Sequence, residues 1–336
     1  MFEDKTCLVL GAGASRPYGF PTSGELREIL LAGPRADKVL EDLGFRPHEM
    51  VGMQLHPLLK ACAYDDERML TDFRKVFRES QRVSIDSFLG GLPKTQMNDM
   101  FVKIGRDAIA TVMHLCEAHS QLDGDWYQWL LEFLLRNGRD FPAGLISVVT
   151  FNYDRSLEQY LWRAFMRSFD LSSSEAREML ERIEFIHVYG DLGPLMMDGA
   201  NPNAVQFGDL NSVFTSGQRL TVAGLRADSS KQERIRKVIA DAKRVIFLGF
   251  GFWKENLDLV FTPPPKKYEN PNEIPPSDWS NKRIFASCYR LWRSVMIDTD
   301  ARVTTNRFSN AFSPLINWGT EDQNLLQFVT HWNLKG

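Results

Sequence analysis

The 336-residue sequence lacks the features that mark secreted, membrane-spanning or polyanion-binding proteins. Its few cysteines lie far apart and form no Cys-x-x-Cys pair, so the sequence predicts neither a disulfide framework nor a zinc ribbon. Lysine and arginine number 40 against 43 acidic residues, which leaves no cationic excess for a partner such as duplex DNA. We therefore expect a cytoplasmic location and reduced thiols. The cysteines are Cys7, Cys62, Cys116 and Cys288.

Long apolar runs are also absent. The longest one, residues 245–253, is about half of the roughly 20 residues that a membrane-spanning helix needs. The chain starts with acidic residues, Glu3 and Asp4, where a secretory signal carries basic ones. No signal peptide is expected, and the mature chain is expected to begin near residue 1. The composition, 43% hydrophobic and 25% charged, is typical of a globular protein with a large core.

Four short apolar runs that end in glycine or polar residues predict buried parallel strands. They cover residues 7–10, 145–150, 185–188 and 245–248. Helical patterns lie between them, for example Leu157, Leu161 and Phe165 at steps of four. This alternation predicts an α/β fold with a Rossmann-like, doubly wound parallel sheet. Residues 282–287 predict one further strand, at an edge of the sheet.

A large helical insertion is predicted within this fold. Residues 31–140 contain no clear period-2 segment and show several apolar faces at helical spacing. The expected organisation is a Rossmann-like core of residues 1–30 and 141–336, with residues 31–140 as an insertion subdomain. The aromatic stripes of the insertion are interpreted as core rather than as a cofactor site. Ser84 and Asp86 are interpreted as the cap and the first-turn charge of a helix.

Glycines follow the first predicted strand, in Gly11–Ser15. Glycines at such a turn let backbone amides approach a phosphate, although the same pattern also fits a purely structural turn. Thr22 and Glu25 have capping-box spacing and predict the start of a helix beside this turn. The third glycine of the dinucleotide fingerprint is missing, which argues against an ordinary dehydrogenase.

Polar residues and glycines follow the other three strands. Asn152 and Asp154 come after the second strand, and His187 ends the third. Since ligands bind at the carboxyl ends of parallel strands, these side chains are expected to face one crevice. Asn152 and Asp154 also suit helix caps, and Gly249 or Gly251 after the fourth strand also suits tight packing. The remaining histidines, for which solvated or capping roles are expected, are His48, His56, His114, His119 and His331.

In this order along the chain, these clusters resemble the sirtuin fold. The residues that carry the resemblance are Gly11–Ser15, Gly19-Phe20-Pro21, Thr150-x-Asn152-x-Asp154 and a strand-end histidine segment that closes in Gly190. The sequence is similar to bacterial sirtuin-like NAD hydrolases of antiviral defence, in the subfamily that pairs with a HerA-type ATPase. Residues 84–89, 187–193 and 247–252, together with Asn256, resemble members of that subfamily. These landmarks run from residue 7 to about residue 260.

The sequence also departs from the sirtuin pattern. Deacylating sirtuins place Asp-Phe-Arg where this chain has Thr22-Ser23-Gly24, and they carry a four-cysteine zinc module that this sequence does not contain. Protein deacylation and a bound metal are therefore not expected. Sirtuins have the catalytic histidine directly before a glycine, where this chain has Tyr189. His187 lies two residues earlier, on the same face of the strand as Tyr189.

The resemblance implies a NAD glycohydrolase that cleaves NAD to nicotinamide and ADP-ribose. Asn152 is implied to orient water or the ribose hydroxyls, and Asp154 to bond the nicotinamide carboxamide. His187 is implied to be the general base. In this assignment the first glycine turn holds the pyrophosphate, and the glycines after the fourth strand lie near the adenosine. The implied NAD-binding residues are Gly11, Ala12, Gly13, Ser15, Thr22, Asp154, Tyr189, Gly249, Gly251 and Asn256.

Partners and cellular function are implied in the same way. The expected function is that of an effector in antiphage defence by abortive infection, as a homo-oligomer with a HerA-type ATPase as a partner. Neither nucleic acid nor a membrane is an expected partner. The alternative is a protein of another class, a non-catalytic sensor of NAD or ADP-ribose, or an assembly module of a defence complex. The tyrosine at position 189 supports this alternative.

Overall fold

The computed structural model describes residues 4–32, 35–45, 67–136, 138–221, 229–260, 282–287, 316–318 and 327. One sheet of six parallel strands forms the centre of the fold. The strands are β1 (Thr6–Leu10), β2 (Ile146–Thr150), β3 (Glu184–His187), β4 (Arg244–Leu248), β5 (Arg283–Ala286) and β6 (Ile316–Trp318). Their order across the sheet is β3-β2-β1-β4-β5-β6, which is the order of a doubly wound Rossmann sheet. The predicted α/β fold with a Rossmann-like sheet is confirmed.

The strands lie close to where the apolar runs predict them. All residues of β1, β2 and β4 are buried, as expected for strands that are covered on both faces. The strand predicted from residues 282–287 is present as β5, but its prediction as an edge strand is wrong. β6 pairs with the outer side of β5. β6 is not predicted from the sequence because a three-residue strand is too short to show a periodic pattern.

Helices occupy the described parts of the connections between β1 and β5. Helices near the sequence-predicted positions carry the expected buried faces, for example Leu157, Leu161 and Phe165. The helices are α1 (Ala12–Ser15), α2 (Ser23–Leu31), α3 (Ala36–Asp42), α4 (Glu67–Glu79), α5 (Ile85–Gly90), α6 (Gln96–His119), α7 (Asp125–Leu135), α8 (Ser156–Phe169), α9 (Ser173–Leu180), α10 (Val213–Arg219), α11 (Ser229–Asp241) and α12 (Lys254–Val260). None of the described helices combines the length and the apolar character needed to cross a membrane.

The described residues between β1 and β2 contain helices and no strand, as predicted for the insertion. In the aromatic stripe of α7, Trp126 and Phe133 are buried and Trp129 is partly buried against the core, which confirms the interpretation of these rings as core. The buried side chains of α5, α6 and α7 continue without interruption into those of the sheet. Helix α6 also packs closely on α10, where Gly217 contacts Asp107. The insertion and the sheet therefore share one hydrophobic core.

The strand register brings four strand ends to one level. Leu10 at the end of β1 is paired with Thr150 of β2 and with Leu248 of β4. Thr150 is in turn paired with His187, the last residue of β3. The residues that follow these positions therefore lie side by side along the carboxyl edge of the sheet.

The turns after β1 and β4 touch through their backbones. The amide of Gly13 donates a hydrogen bond to the carbonyl of Gly249 at 3.0 Å. A Cβ atom on Gly249 would lie 2.0 Å from the amide nitrogen of Ala14, and Gly249 has a φ of 55°. Only glycine fits this contact, because a side chain would collide with backbone atoms that cannot rotate away. The packing interpretation of Gly249 is therefore confirmed.

We expect Gly249→Ala to lower the free energy of unfolding by about 3 kcal/mol or more, because it combines overpacking with a left-handed backbone conformation. Urea denaturation measures this loss. Two alanine substitutions are controls: Gly24, at an exposed helical position with open space, and Gly199, where φ is 73° and space is open. Gly24→Ala is expected to be neutral or stabilising and Gly199→Ala to cost only the backbone strain. Equal losses at Gly249 and Gly199 would contradict the steric argument.

Candidate functional site

Asn152 joins the segment after β2 to the turn after β1. Its Nδ2 donates hydrogen bonds to the carbonyl of Gly11 and to the hydroxyl of Ser15, each at 3.0 Å. Because the Gly11 carbonyl can only accept, these bonds fix the orientation of the amide. Its Oδ1 is buried and has no hydrogen-bond partner among the described residues. The predicted meeting of Asn152 with the glycine turn is confirmed, and one acceptor atom there is left for a donor.

Asp154 is the centre of a buried network of hydroxyl groups. Its carboxylate accepts hydrogen bonds from the amide and the hydroxyl of Ser156 and from the hydroxyl of Ser15. The hydroxyl of Tyr127 lies 2.6 Å from that of Ser156. Burial raises the pKa of Asp154, and the serine bonds partly oppose this shift. Asp154 accepts the amide of Ser156, the first residue of α8, but the N-cap residue of this helix is Arg155. The Asn152 side chain bonds to the β1 turn instead of a helix amide.

His187 is held at both ring nitrogens. Nδ1 lies 3.2 Å from the carbonyl of Asn152, and Nε2 lies 2.6 Å from the carboxylate of Glu158. Burial alone lowers the pKa of His187, but Glu158 and the weaker effects of Asp191 and the Asn152 carbonyl outweigh it and raise the pKa to about 9. The ring is therefore an imidazolium at neutral pH and donates from both nitrogens. The prediction that His187 is the general base stays a prediction, and in this geometry its ring holds no free lone pair.

Two tyrosine hydroxyls tie the surrounding elements together. Tyr189 donates to the Oδ1 of Asn256 at 2.5 Å, which brings together two residues that the sequence places in the site. Tyr153 donates to the carboxylate of Asp86 in the insertion. The interpretation of Asp86 as a first-turn charge is correct but incomplete. In the sequence, Asp86 is noticeable only as part of the segment 84–89. No local pattern there indicates a contact with Tyr153.

The amides of the first glycine turn are largely occupied. Gly11 donates to the carbonyl of Leu248, and Gly13 donates to that of Gly249, both at 3.0 Å. The amide of Gly249 in turn donates to the hydroxyl of Ser287 at 2.9 Å. In this conformation Gly11 and Gly13 hold the two strand ends together, so their amides are not available to a phosphate. Ala12, the first residue of α1, follows Gly11 in this turn.

Thr22 belongs to a helix cap, and Gly251 lies on the surface. Thr22 and Glu25 form the predicted capping box of α2, with both reciprocal hydrogen bonds present. The Thr22 hydroxyl is thus engaged in the helix cap. Gly251 is exposed and lies directly against the indole of Trp253.

A buried ion pair fixes the segment that carries Asn152 and Asp154. Arg155 is 2% exposed and donates to both carboxylate oxygens of Glu117 on α6, at 3.0 and 2.6 Å. Its other N–H groups donate to backbone carbonyls at positions 193, 205 and 206. Burial raises the pKa of Glu117, and the bonds from Arg155 and from the amide of Gly208 oppose this shift. This pair is not visible in the sequence because its members are 38 residues apart and follow no motif.

His114 contradicts its sequence interpretation. It is fully buried on α6 rather than solvated or capping, and its Nε2 lies 2.9 Å from the hydroxyl of Ser216. That hydroxyl donates to the carbonyl of Leu192, so it accepts from the histidine. Burial and the nearby Arg155 lower the pKa of His114 to about 4, which keeps it neutral. His48, His56 and His331 lie outside the described residues.

A groove of about 860 Å³ lies at the amino end of β3, beside α9. None of the predicted site residues lines it. Its arginines are paired with acidic neighbours, for example Arg177 with Asp198 and Arg234 with Glu184. The groove is thus separate from the polar cluster at the carboxyl edge of the sheet.

Comparisons with known proteins identify no family. No family model matches the sequence, and no curated protein matches it. Within the described part of the chain, no group of three or more histidine, cysteine, aspartate or glutamate residues is placed to hold a metal ion.

Glu117→Gln is expected to lower the free energy of unfolding by about 3–5 kcal/mol, because it leaves the Arg155 charge buried without its carboxylate. Urea denaturation measures the loss. The control is Asp42→Asn, which breaks an exposed pair with Lys38 and is expected to change stability by less than about 0.5 kcal/mol. A similar, small effect of both substitutions would show that Arg155 is held by the backbone carbonyls alone.

The raised pKa of His187 predicts a stability that depends on pH. The folded state binds this proton more tightly than the unfolded chain, whose histidine pKa is about 6.5. The contribution of His187 is therefore complete below pH ~6.5 and is lost as the pH rises to about 9. We expect a loss of about 3 kcal/mol across this interval, measured by urea denaturation at several pH values.

His187→Asn is expected to remove most of this alkaline slope. His119→Asn, which changes an exposed histidine at the end of α6, is expected to retain it. An unchanged slope in His187→Asn would assign the pH dependence to other groups.

Proposed function

We propose that this protein hydrolyses NAD at the bond between nicotinamide and ribose, with Asn152 at the centre of the site. The observation that carries the proposal is the asymmetric bonding of the Asn152 amide. Its NH₂ group is held by Gly11 and Ser15, whereas its Oδ1 is buried without a partner. An unsatisfied buried acceptor costs about 1–3 kcal/mol, which a ribose hydroxyl or a water molecule would recover by donating to it.

The reaction breaks the bond between ribose C1′ and the ring nitrogen of nicotinamide, and the bonding electrons neutralise the ring. The ribose becomes an oxocarbenium-like centre, and a water oxygen then forms the new bond to C1′ and releases one proton. In this proposal Asn152 Oδ1 orients the water or the ribose hydroxyls. The Asp154 carboxylate receives the N–H groups of the nicotinamide carboxamide, beside the serine hydroxyls that already bond it.

His187 is the proposed base on the resemblance to sirtuins. Taking up the proton of water requires the ring to lose a proton first and one ring nitrogen to leave its present partner, the Glu158 carboxylate or the Asn152 carbonyl. With a pKa of about 9, only a small fraction of His187 is neutral at pH 7. The base function therefore requires His187 to leave the bonded, protonated arrangement of this structure.

The pyrophosphate and adenosine halves of NAD are assigned to the turns after β1 and β4. Since the amides of Gly11 and Gly13 bond to the β4 turn, the proposed pyrophosphate contacts fall on other groups of residues 12–15. β1 lies between β2 and β4, so the turn after β1 is at the point where the strand order reverses. Dinucleotides bind at this point in doubly wound sheets, which supports the assignment.

Asn152→Ala is expected to reduce nicotinamide release from NAD by at least about 10²-fold, since it removes an oriented polar group at the reacting centre. Chromatography of the nicotinamide formed measures the rate. The matched control is Asn203→Ala at an exposed asparagine, which is expected to retain the native rate. A folded Asn152→Ala protein, verified by urea denaturation, with native turnover would restrict Asn152 to holding the β1 turn in place.

A second candidate function is a sensor that binds NAD or ADP-ribose without cleaving it. The observation that favours it is the bonding of His187, whose two ring nitrogens are both engaged and protonated. Calorimetric binding and nicotinamide release, measured on the same protein, separate the two candidates. Binding of NAD without release supports the sensor, and release supports the hydrolase.

On the resemblance stated above, we further propose that the protein is a cytoplasmic effector of antiphage defence. It would act as a homo-oligomer that a HerA-type ATPase regulates. Nicotinamide release measured with and without such an ATPase tests this regulation. An unchanged rate in the mixture would contradict it.

A further inference from the structure

Trp253 is a large aromatic side chain that the fold leaves in water. It is 54% exposed and comes directly after the glycine turn that follows β4. Its carbonyl accepts the amide of Leu257 in the first turn of α12, so its backbone position is fixed. Burying an indole contributes more apolar area than almost any other side chain does, and tryptophan is mostly well buried. Exposure of this residue beside the candidate site therefore needs a reason.

The backbone before Trp253 is strained. Phe252 has a φ of 53°, in the left-handed region that bulky side chains rarely adopt. Its ring is buried, with centroids 5.5 Å from that of Phe247 and 5.0 Å from that of Phe250. The buried ring anchors Phe252 in the core, while the next residue remains outside. Such strain costs free energy and concentrates at functional sites, where the surrounding structure maintains it.

The indole lies close to the backbone of Gly251. A Cβ atom on Gly251 would lie 2.9 Å from its Nε1 and 3.0 Å from its Cδ1. The edge of the indole thus lies over a residue without a side chain, and more than half of its surface remains accessible. Because residue 251 is glycine, it has no side chain that a flat ligand would need to displace to approach this surface.

The position of Trp253 corresponds to one end of the proposed substrate. β4 is separated from β2 by β1 alone, and neighbouring strands lie about 4.8 Å apart. The carboxyl end of β4 is therefore roughly 10 Å along the sheet edge from that of β2. The segment after β4 then reaches back towards β2, since the ring of Phe250 lies 5.0 Å from that of Phe151. With the nicotinamide ribose at Asn152 and the pyrophosphate over the β1 turn, the adenosine end of NAD extends towards Trp253.

We infer that Trp253 is the stacking surface for the adenine ring of the dinucleotide. This inference rests on the proposed function, because the placement of NAD along the sheet edge comes from it. In the proposed placement the nicotinamide ring lies near Asp154, at the other end of the dinucleotide from the stacked adenine. Trp253 is thus a binding and specificity residue that favours ligands with a purine base, and it takes no part in bond cleavage.

Binding of ADP-ribose to the full chain tests this inference, because ADP-ribose carries the adenine and is not cleaved by the proposed reaction. By calorimetry, Trp253→Ala is expected to weaken ADP-ribose binding about 5- to 150-fold, the range found when a base loses its aromatic stacking partner. Trp253→Phe is expected to retain part of the affinity. Ribose 5-phosphate and nicotinamide mononucleotide, which lack adenine, are expected to bind all three proteins equally.

The matched control is Phe214→Ala, which removes another exposed aromatic ring, 40% accessible and located on α10. It is expected to leave ADP-ribose binding unchanged. Equal affinity of a folded Trp253→Ala protein and the native chain would overturn the inference. A change of oligomeric state in Trp253→Ala with unchanged ADP-ribose affinity would overturn it too, and would assign the indole to a contact between copies of the chain.

The outcomes also separate this inference from the proposed function. If ADP-ribose binding depends on Trp253 but NAD yields no nicotinamide, the adenine-stacking inference is supported and the hydrolase proposal is contradicted. If nicotinamide is released and Trp253→Ala leaves the KM for NAD unchanged, the hydrolase proposal is supported and the adenine-stacking inference is contradicted. Absence of both binding and release in the native protein would overturn both.

Discussion

The buried pair of Arg155 and Glu117 is the constraint on which the geometry of the candidate site depends. Arg155 directly follows Asp154, and all five N–H groups of its guanidinium have acceptors. Removing both charges from water is expensive, so the pair adds little net stability compared with apolar residues of similar size. Its effect is positional. The segment after β2 has one arrangement that satisfies the guanidinium, and this arrangement directs Asn152 towards the β1 turn.

The helical insertion contributes hydrogen-bonding partners to the candidate site. Glu117 belongs to α6, Asp86 to α5, and Tyr127 to α7, and each bonds a residue in the segment from Tyr153 to Ser156. The indole of Trp126 adds a hydrogen bond to the carbonyl of Ala14 at 2.8 Å. Because the two parts also share one hydrophobic core, loss of the insertion would expose the core and remove the partners of the polar network at the same time.

The sequence predicted the features that depend on local patterns. Buried parallel strands are continuous apolar runs, and parallel strands end at one edge, so the meeting of Asn152 with Gly11 and Ser15 followed from those rules. Contacts between distant charged groups follow no such rule. Glu158 is an ordinary first-turn acidic residue by sequence, yet it sets the charge of His187. The glycine turn illustrates the same limit, since the pattern fits both a phosphate cradle and the close packing that the fold contains.

The charges of the site favour a cationic ligand. His187 is neutralised by Glu158, and Arg155 by Glu117, whereas the Asp154 carboxylate is bonded to hydroxyls and an amide, and burial raises its pKa. A positive ligand beside Asp154 would favour its ionised form. The nicotinamide ring of NAD is positive before cleavage, and the positive charge moves to the ribose as the bond breaks. Asp154 would therefore assist binding wherever it meets the ring, and it would accelerate cleavage only to the extent that it lies nearer to C1′ than to the ring nitrogen.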